Sequence, residues 1–379
     1  MMSNNRTLLL TVTLAWLALA SSNVFSTPKI PTGLCINNTN CTHNGSVVAP
    51  TTINPEHFHP GYYYSVGNKD NESPEELFSP LNTLSEFVGA KRIYSWNKLE
   101  PREGDYDFSM IEADLAYLQS IDKRLWIQVS YKQFNGNRPP KTPRYMWDDS
   151  KYGCGFENQY YGTYKRKAQD GGWLPCYWNT NMRERFVALY RALGKRFNHE
   201  LYIEGISMAE TAVDTPSAKT QPDYDALAIK ATYQAKVLAA RKSFPDKTVF
   251  QLMNFAPYSR EEFNHFGKWL VENEIGIGSP DIYLNNEALT TFIYPQYLKH
   301  HNQVPTGPDV QWKNYEKATP EEILLGAIEL TNPWYMFWMR RDKGLDPYGN
   351  PISFQSVLEA IRKHGRLPAA KAFYDSLKK

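Results

Sequence analysis

The chain has no surplus of either charge: 42 Lys and Arg stand against 40 Asp and Glu, a net +2 over 379 residues. It therefore lacks the basic excess that a nucleic-acid-binding surface needs. It is poor in cysteine, with only Cys35, Cys41, Cys154 and Cys176, and contains neither a C-x-x-C nor an H-E-x-x-H spacing. The common zinc signatures are thereby excluded, and no metal or cofactor is expected. No G-x-G-x-x-G or G-x-x-x-x-G-K-[ST] loop follows any strand-like segment, so no dinucleotide or phosphate cradle is expected. Long apolar runs are also missing. The one at Leu8–Ala20 is shorter than the ~20 residues of a spanning helix, so no membrane span is expected.

That short run has a different reading. Arg6 precedes it, and the small residues Ala18, Ala20, Ser21 and Ser22 follow or close it, the pattern of a signal peptide over residues 1–20. A secreted or periplasmic protein is expected. In that compartment the neighbours Cys35 and Cys41, and Cys154 and Cys176, are expected to form two local disulfides. Asn37, Asn40, Asn44 and Asn71 each open an N-x-[ST] triplet, an acceptor site wherever the source glycosylates. What the chain has in abundance is aromatic: 18 Phe, 10 Trp and 25 Tyr, or 14%. Tyr and Trp in such number exceed what a core needs, which puts some at surfaces or clefts, where a ring with one polar edge is useful.

Residues 21–56 are rich in Pro, Thr and Asn and read as a leader or small disulfide loop. Residues 57–379 alternate strand-like and helix-like patterns. Strands are expected at Tyr62–Val66, Lys91–Trp96, Leu125–Ser130, Tyr202–Ala209, Val249–Asn254, Ile275–Ser279, Pro305–Gln311 and Trp334–Trp338. Amphipathic helices are expected at Ser109–Ile121, Met182–Phe197, Asp223–Ser243, Arg260–Glu272, Pro320–Leu330 and Ile352–His364. Eight strands, each followed by a helix or long connection, make an α/β chain of the (β/α)8 barrel class. A doubly wound sheet is the alternative.

The connection 131–180 after the third strand is the exception to this periodicity. It interleaves Tyr145, Trp147, Tyr160, Tyr161, Tyr164 and Trp173 with Lys132, Arg138, Lys141, Lys165, Arg166 and Lys167. An aperiodic connection of this length is usually functional or disordered, and in a barrel it lies on the face that carries active sites. It reads either as a mini-domain packed on the barrel or as a substrate wall, whose rings stack on sugars and whose cations meet carboxylate or sulfate groups.

Strand ends on that face supply the candidate chemistry. The second gives Trp96, Asn97 and Glu100, the third Gln128 and Tyr131, and the fourth Glu210. The fifth gives Asn254, the sixth Asp281 with Glu287 behind it, the seventh Asp309, Gln311 and Trp312, and the eighth Trp338. Carboxylates, amides and tryptophans around one mouth suit a polyol: amides bond hydroxyls, indole faces stack on the ring, and two carboxyl groups cleave an acetal. Glu100, next to Pro101, is expected to order its loop rather than to do chemistry.

The segment Trp96-Asn97-Lys98-Leu99-Glu100-Pro101-Arg102-Glu103-Gly104-Asp105-Tyr106-Asp107-Phe108, followed by a helix and Leu125-Trp126-Ile127-Gln128, resembles barrel glycoside hydrolases of the retaining, two-glutamate superfamily. The resemblance is greatest to the β-galactosidase-like members. The last strand, Trp334–Trp338, resembles the one whose tryptophan floors the sugar subsite in that superfamily. The resemblance implies Glu210 as general acid/base and Trp338 as sugar platform. Two positions depart from the pattern: Ala209 stands where the superfamily has Asn before the acid, and the seventh strand carries Asp309 where the superfamily has a glutamate. The second carboxylate is then Asp309 or Asp281. Trp96, Asn97, Gln128, Tyr131, Asn254, Glu287, Gln311, Trp312 and Trp338 are expected to hold the sugar. The expected activity is hydrolysis of a polysaccharide or oligosaccharide, and the basic connection favours an anionic one. The alternatives are a carbohydrate-binding barrel without turnover and a uronate polysaccharide lyase.

Overall fold

The computed structural model describes residues 55–379 apart from 136, 149, 153–156, 159–171, 214–224, 283–285, 287–288 and 379. Eight strands close into a barrel: β1 Gly61–Asn68, β2 Phe87–Ser95, β3 Arg124–Ser130, β4 Ile203–Met208, β5 Thr248–Leu252, β6 Gly276–Ser279, β7 Thr306–Val310 and β8 Tyr335–Met339. Each pairs in parallel with its sequence neighbours, and β8 closes on β1 through Gly61–Tyr335 to Ser65–Met339. The chain is a (β/α)8 barrel. The helices begin where their local chemistry allows. Helix Pro320–Thr331, for example, has Pro320 in its first turn and a reciprocal Thr319–Glu322 capping box, which satisfies two otherwise orphaned amide groups.

Side-chain parity divides each strand between two environments. Tyr63 on β1 meets Trp126 on β3, and Phe250 on β5 meets Phe337 on β8. These strands are not neighbours, so the contacts cross the lumen. Trp126 stacks on Phe250 with ring centres 5.0 Å apart and meets Tyr335 and Phe337 edge-on. The lumen is thus a packed aromatic plug, as burial on both sides of a parallel barrel requires. Glycine makes room for it: a Cβ on Gly205 would lie 2.5 Å from both the Thr248 carbonyl and the Trp126 ring. Below the plug, Tyr335 and the His59 amide donate to the buried Glu204 at 2.6 Å each, closing the face opposite the site.

The other parity faces the helices. Ile127, Val129, Ile206, Val249, Ile277, Val310, Met336 and Trp338 belong to one apolar layer with the helical side chains. Part of the connection 131–180 joins that layer: Tyr177 stacks on Phe186 and on Tyr233, and Tyr131, Tyr152 and Tyr177 are fully buried. Tyr160, Tyr161, Tyr164, Lys165, Arg166 and Lys167 lie outside the described residues, as do Cys35, Cys41 and Cys154. Among the described residues no helix is long and apolar enough to cross a membrane.

Candidate active site

Three candidate carboxyl groups lie above the plug, at the C-terminal ends of the strands. Glu210 follows β4, Asp281 follows β6 and Asp309 lies in β7. The charge of Glu210 bears on both aspartates, and that of Asp309 bears on Asp281. The barrel therefore brings all three sequence candidates to one mouth.

Each carboxyl has a different companion. Asn254, after β5, donates its Nδ2 to Glu210 Oε2 at 2.5 Å, while the Phe255 amide donates to Asn254 Oδ1 at 2.8 Å. That second bond fixes which end of the side-chain amide faces Glu210. Behind Glu210, the buried Lys132 donates to the carbonyls of Glu210 and of Ala212, and Tyr233 donates to the Glu210 carbonyl at 3.3 Å. Burial pushes the Lys132 ammonium down to about 8, against the pull of the Glu210 charge.

Asp281 is half-buried and accepts from Asn314 Nδ2 at 2.8 Å through Oδ1. Burial, reinforced by the charges of Glu210 and Asp309, pushes its carboxyl up to about 6. The Asn314 hydrogen bond and the Lys313 charge pull the other way. Asp309 is different again: it is almost fully enclosed, and Lys91 on β2 donates to its Oδ2 across the lumen. Burial moves the Asp309 carboxyl up and the Lys91 ammonium down, so desolvation outweighs their attraction at both ends. Asp309 Oδ1 has no hydrogen-bond partner among the described residues.

The residues expected to hold a sugar separate into two groups. Asn254, Gln128, Gln311, Asn97 and Trp312 retain some exposure. Gln128, on β3 with the lumen-facing parity of Trp126, is 7% exposed, and its Oε1 is unpartnered. Gln311 is half-buried, and its backbone amide donates to Asn314 Oδ1. Asn97 is tied by its backbone and Nδ2 to the carbonyls of Lys141 and Pro140, leaving Oδ1 unpartnered. Trp312 is 45% exposed, with the Lys313 ammonium and Arg341 guanidinium each about 5 Å from its ring.

Trp96, Tyr131 and Trp338 form the second group and offer no free face. Trp96 sits in a one-turn helix after β2, donates to Glu100 at 2.8 Å and packs on Phe186. Tyr131 is held by Lys236. Trp338 has the outward parity of Met336 and packs near Tyr315, so it belongs to the helical layer rather than the mouth. Glu287 lies outside the described residues. Glu100 orders its loop as its sequence position suggests: it takes bonds from Trp96, the Gly104 amide and Tyr145, and pairs with Arg185.

Sequence reasoning missed Lys91 and Asn314. A lysine inside a buried parallel strand needs a carboxylate partner, and that signal was available for Lys91. Asn314 stands in an unremarkable turn and carried none.

No protein-family model matches the sequence, and no curated protein matches it. Solved structures do share the fold. The catalytic domain of a β-amylase from Paenibacillus polymyxa superposes with a TM-score of 0.54 at 8% identity, covering 83% of this chain and 99% of that one. A β-galactosidase from Bacillus circulans sp. alkalophilus gives 0.53 at 14% identity, covering 80% of this chain and 56% of that one. A β-galactosidase from the psychrophilic Marinomonas ef1 gives 0.52 at 10%, covering 82% and 61%. The chain thus spans little more than half the length of each of these two β-galactosidases.

Proposed function

We propose that the chain is an exported glycoside hydrolase that cleaves a polysaccharide or oligosaccharide with Glu210 and Asp281 as its working carboxyl groups. The observation that carries this reading is the half-buried Asp281 carboxyl at the mouth, on which the Glu210 charge bears and which is pushed up to about 6. Acetal cleavage needs one carboxyl that delivers a proton and one that is ionised. A partly buried carboxyl beside another negative charge is the group that retains its proton near neutrality. Asp281 is therefore the acid. Glu210, to which the resemblance assigns the acid/base part, is its partner and attacks the anomeric carbon or activates a water. Asp309, enclosed and committed to Lys91, supplies field rather than chemistry. The β-amylase and β-galactosidases that share the fold act on glycosidic bonds, as their names state, which supports the same bond class here.

Trp312 and Gln311, at the exposed rim, and Gln128, below it, are the sugar contacts in this reading. The Lys313 ammonium beside Trp312 supports an anionic glycan, whereas the Arg341 guanidinium there is paired with Glu316. Export rests on the leader, and Cys176, which is disulfide-bonded, supports pairing with Cys154 in an oxidising compartment.

The test incubates the parent, Glu210→Gln and Asp281→Asn with neutral, uronate-containing and sulfated polysaccharides, following reducing ends and chain length. The parent is expected to shorten one glycan, and each variant to lose about 10²-fold or more of that rate while still binding it. Variants that cut as fast as the parent overturn the assignment. Binding by all three without cutting identifies a non-catalytic barrel, and an ultraviolet-absorbing unsaturated product identifies a lyase.

A further inference from the structure

Asn314 is fully buried in the short turn Asn314–Glu316 after β7. Its Oδ1 accepts from the backbone amides of Gln311 at 3.0 Å and Ile282 at 3.3 Å. Two fixed donors on that oxygen leave only one orientation for the side-chain amide, with its NH2 turned to Asp281 Oδ1. One side chain thus ties the ends of β6 and β7 together and presents a donor to a single oxygen of the carboxyl. Asp281 Oδ2 has no hydrogen-bond partner among the described residues.

We propose, resting on the hydrolase reading above, that Asn314 is the positioning residue of the acid: by occupying Oδ1 it leaves Oδ2 as the oxygen that carries and delivers the proton. A carboxyl hydrogen cannot sit on an oxygen that already faces an N–H donor without a clash of hydrogens, so the bond selects one of two otherwise equivalent sites. The same bond limits how far the carboxyl is pushed up. The other groups that bear on Asp281 are Glu210 from β4, Asp309 from β7 and Lys313 beside Asn314, and none of them is altered by substitutions at Asn314.

The test uses Asn314→Ala, which removes the donor without adding a charge, and Asn314→Asp, which keeps an acceptor for both backbone amides but sets a second carboxyl in the donor's place. Asp carboxyl carbons are labelled with carbon-13 and titrated by NMR without any substrate, the Asp281 signal being assigned by its loss in Asp281→Asn. The midpoint is expected to rise by about half a unit or more in both variants, further in Asn314→Asp, where a second carboxyl faces the first. On the glycan that the parent cuts, kcat is expected to fall about tenfold with KM within threefold, and the alkaline limb of the rate profile to move up with the NMR midpoint. A purely structural role would lower thermal stability and leave the midpoint of Asn314→Ala where it is. A midpoint within 0.2 units of the parent in a folded Asn314→Ala protein overturns the proposal, as does an unmoved midpoint in Asn314→Asp where Asn314→Ala does not fold. If the midpoint moves but the parent cuts no glycan, the positioning stands and the hydrolase reading falls.

Discussion

The buried pair Lys91–Asp309 makes the sharpest energetic prediction. Both groups are enclosed, they meet across the lumen from β2 and β7, and Lys91 also lies 4.6 Å from the centre of the Phe337 ring. Among the described residues Asp309 has only the one side-chain partner, since its Oδ1 has none. Lys91→Met therefore strands a carboxyl with both oxygens unsatisfied, and removing one member of a buried pair costs about 3–5 kcal/mol. The carboxyl can escape by taking up a proton, so the loss should be larger at pH 8 than at pH 5. Over the range where the stranded group titrates, each pH unit adds about 1.4 kcal/mol. Asp309→Asn alone should cost about the same, because the ammonium then lacks its counter-charge. Lys91→Met/Asp309→Asn removes both charges and leaves only an unpaired amide, at about 1–3 kcal/mol. The two single losses therefore do not add, and the coupling between them should exceed about 3 kcal/mol. Urea unfolding followed by both far-ultraviolet circular dichroism and tryptophan fluorescence measures all four proteins. A Lys91→Met loss below about 1 kcal/mol, or a double variant as unstable as the sum of the singles, would refute the view that desolvation dominates this pair.

Asp281 and Gly205 make further predictions. In the folded protein the Asp281 carboxyl is pushed up to about 6 from an ordinary 3.8. Its contribution to stability is thus fully present below about pH 4 and lost as the pH rises through 6. Asp281→Asn removes that loss, so the variant should be more stable than the parent by about 1–3 kcal/mol at pH 8 and no more stable at pH 4. Thermal melts at the two pH values check it, and a gain of equal size at both contradicts the assignment. Gly205→Ala drives a Cβ into the Thr248 carbonyl and the Trp126 ring. It should destabilise by about 1–3 kcal/mol in the same urea assay, without moving the pH profile of turnover.

Much of the fold was legible because a buried parallel strand is a nearly continuous apolar run between polar connections. The pattern gave Leu125–Ser130 where the strand is Arg124–Ser130, and Pro320–Leu330 where the helix is Pro320–Thr331. Less regular pieces escaped it. Helix Tyr294–His300 grows out of a π-helical turn at Leu289–Ile293, and helix Pro368–Ser376 follows a break at Gly365; neither has a long amphipathic pattern. Parity was the harder matter. A strand identified correctly still leaves two faces, and a shift of one residue exchanges lumen for helical layer. Trp338 illustrates this: its strand lies where expected, yet Tyr335 and Phe337 point into the lumen and Trp338 away from it. Trp96 failed for another reason, since β2 ends at Ser95 and the single helical turn Trp96–Leu99 begins at the indole itself.

The side-chain amide that meets Glu210 comes from elsewhere in the chain than the position before it. An amide is expected there by resemblance, and Ala209 offers none. The ends of β4 and β5 lie side by side, with Met208 in register with Gln251, so the residue that follows β5 can reach the same carboxylate. Asn254 does so, with its orientation fixed by the Phe255 amide. Asn314 repeats the device at Asp281, its orientation fixed by Gln311 and Ile282. In both cases backbone donors decide which way an Asn side chain points, and the Asn in turn decides which oxygen of a carboxyl is engaged. Spacing along the chain cannot reveal this arrangement, because each amide and its carboxylate come from different strands. Neighbouring strand ends around the mouth bring them together, and the chemistry constrains only that adjacency.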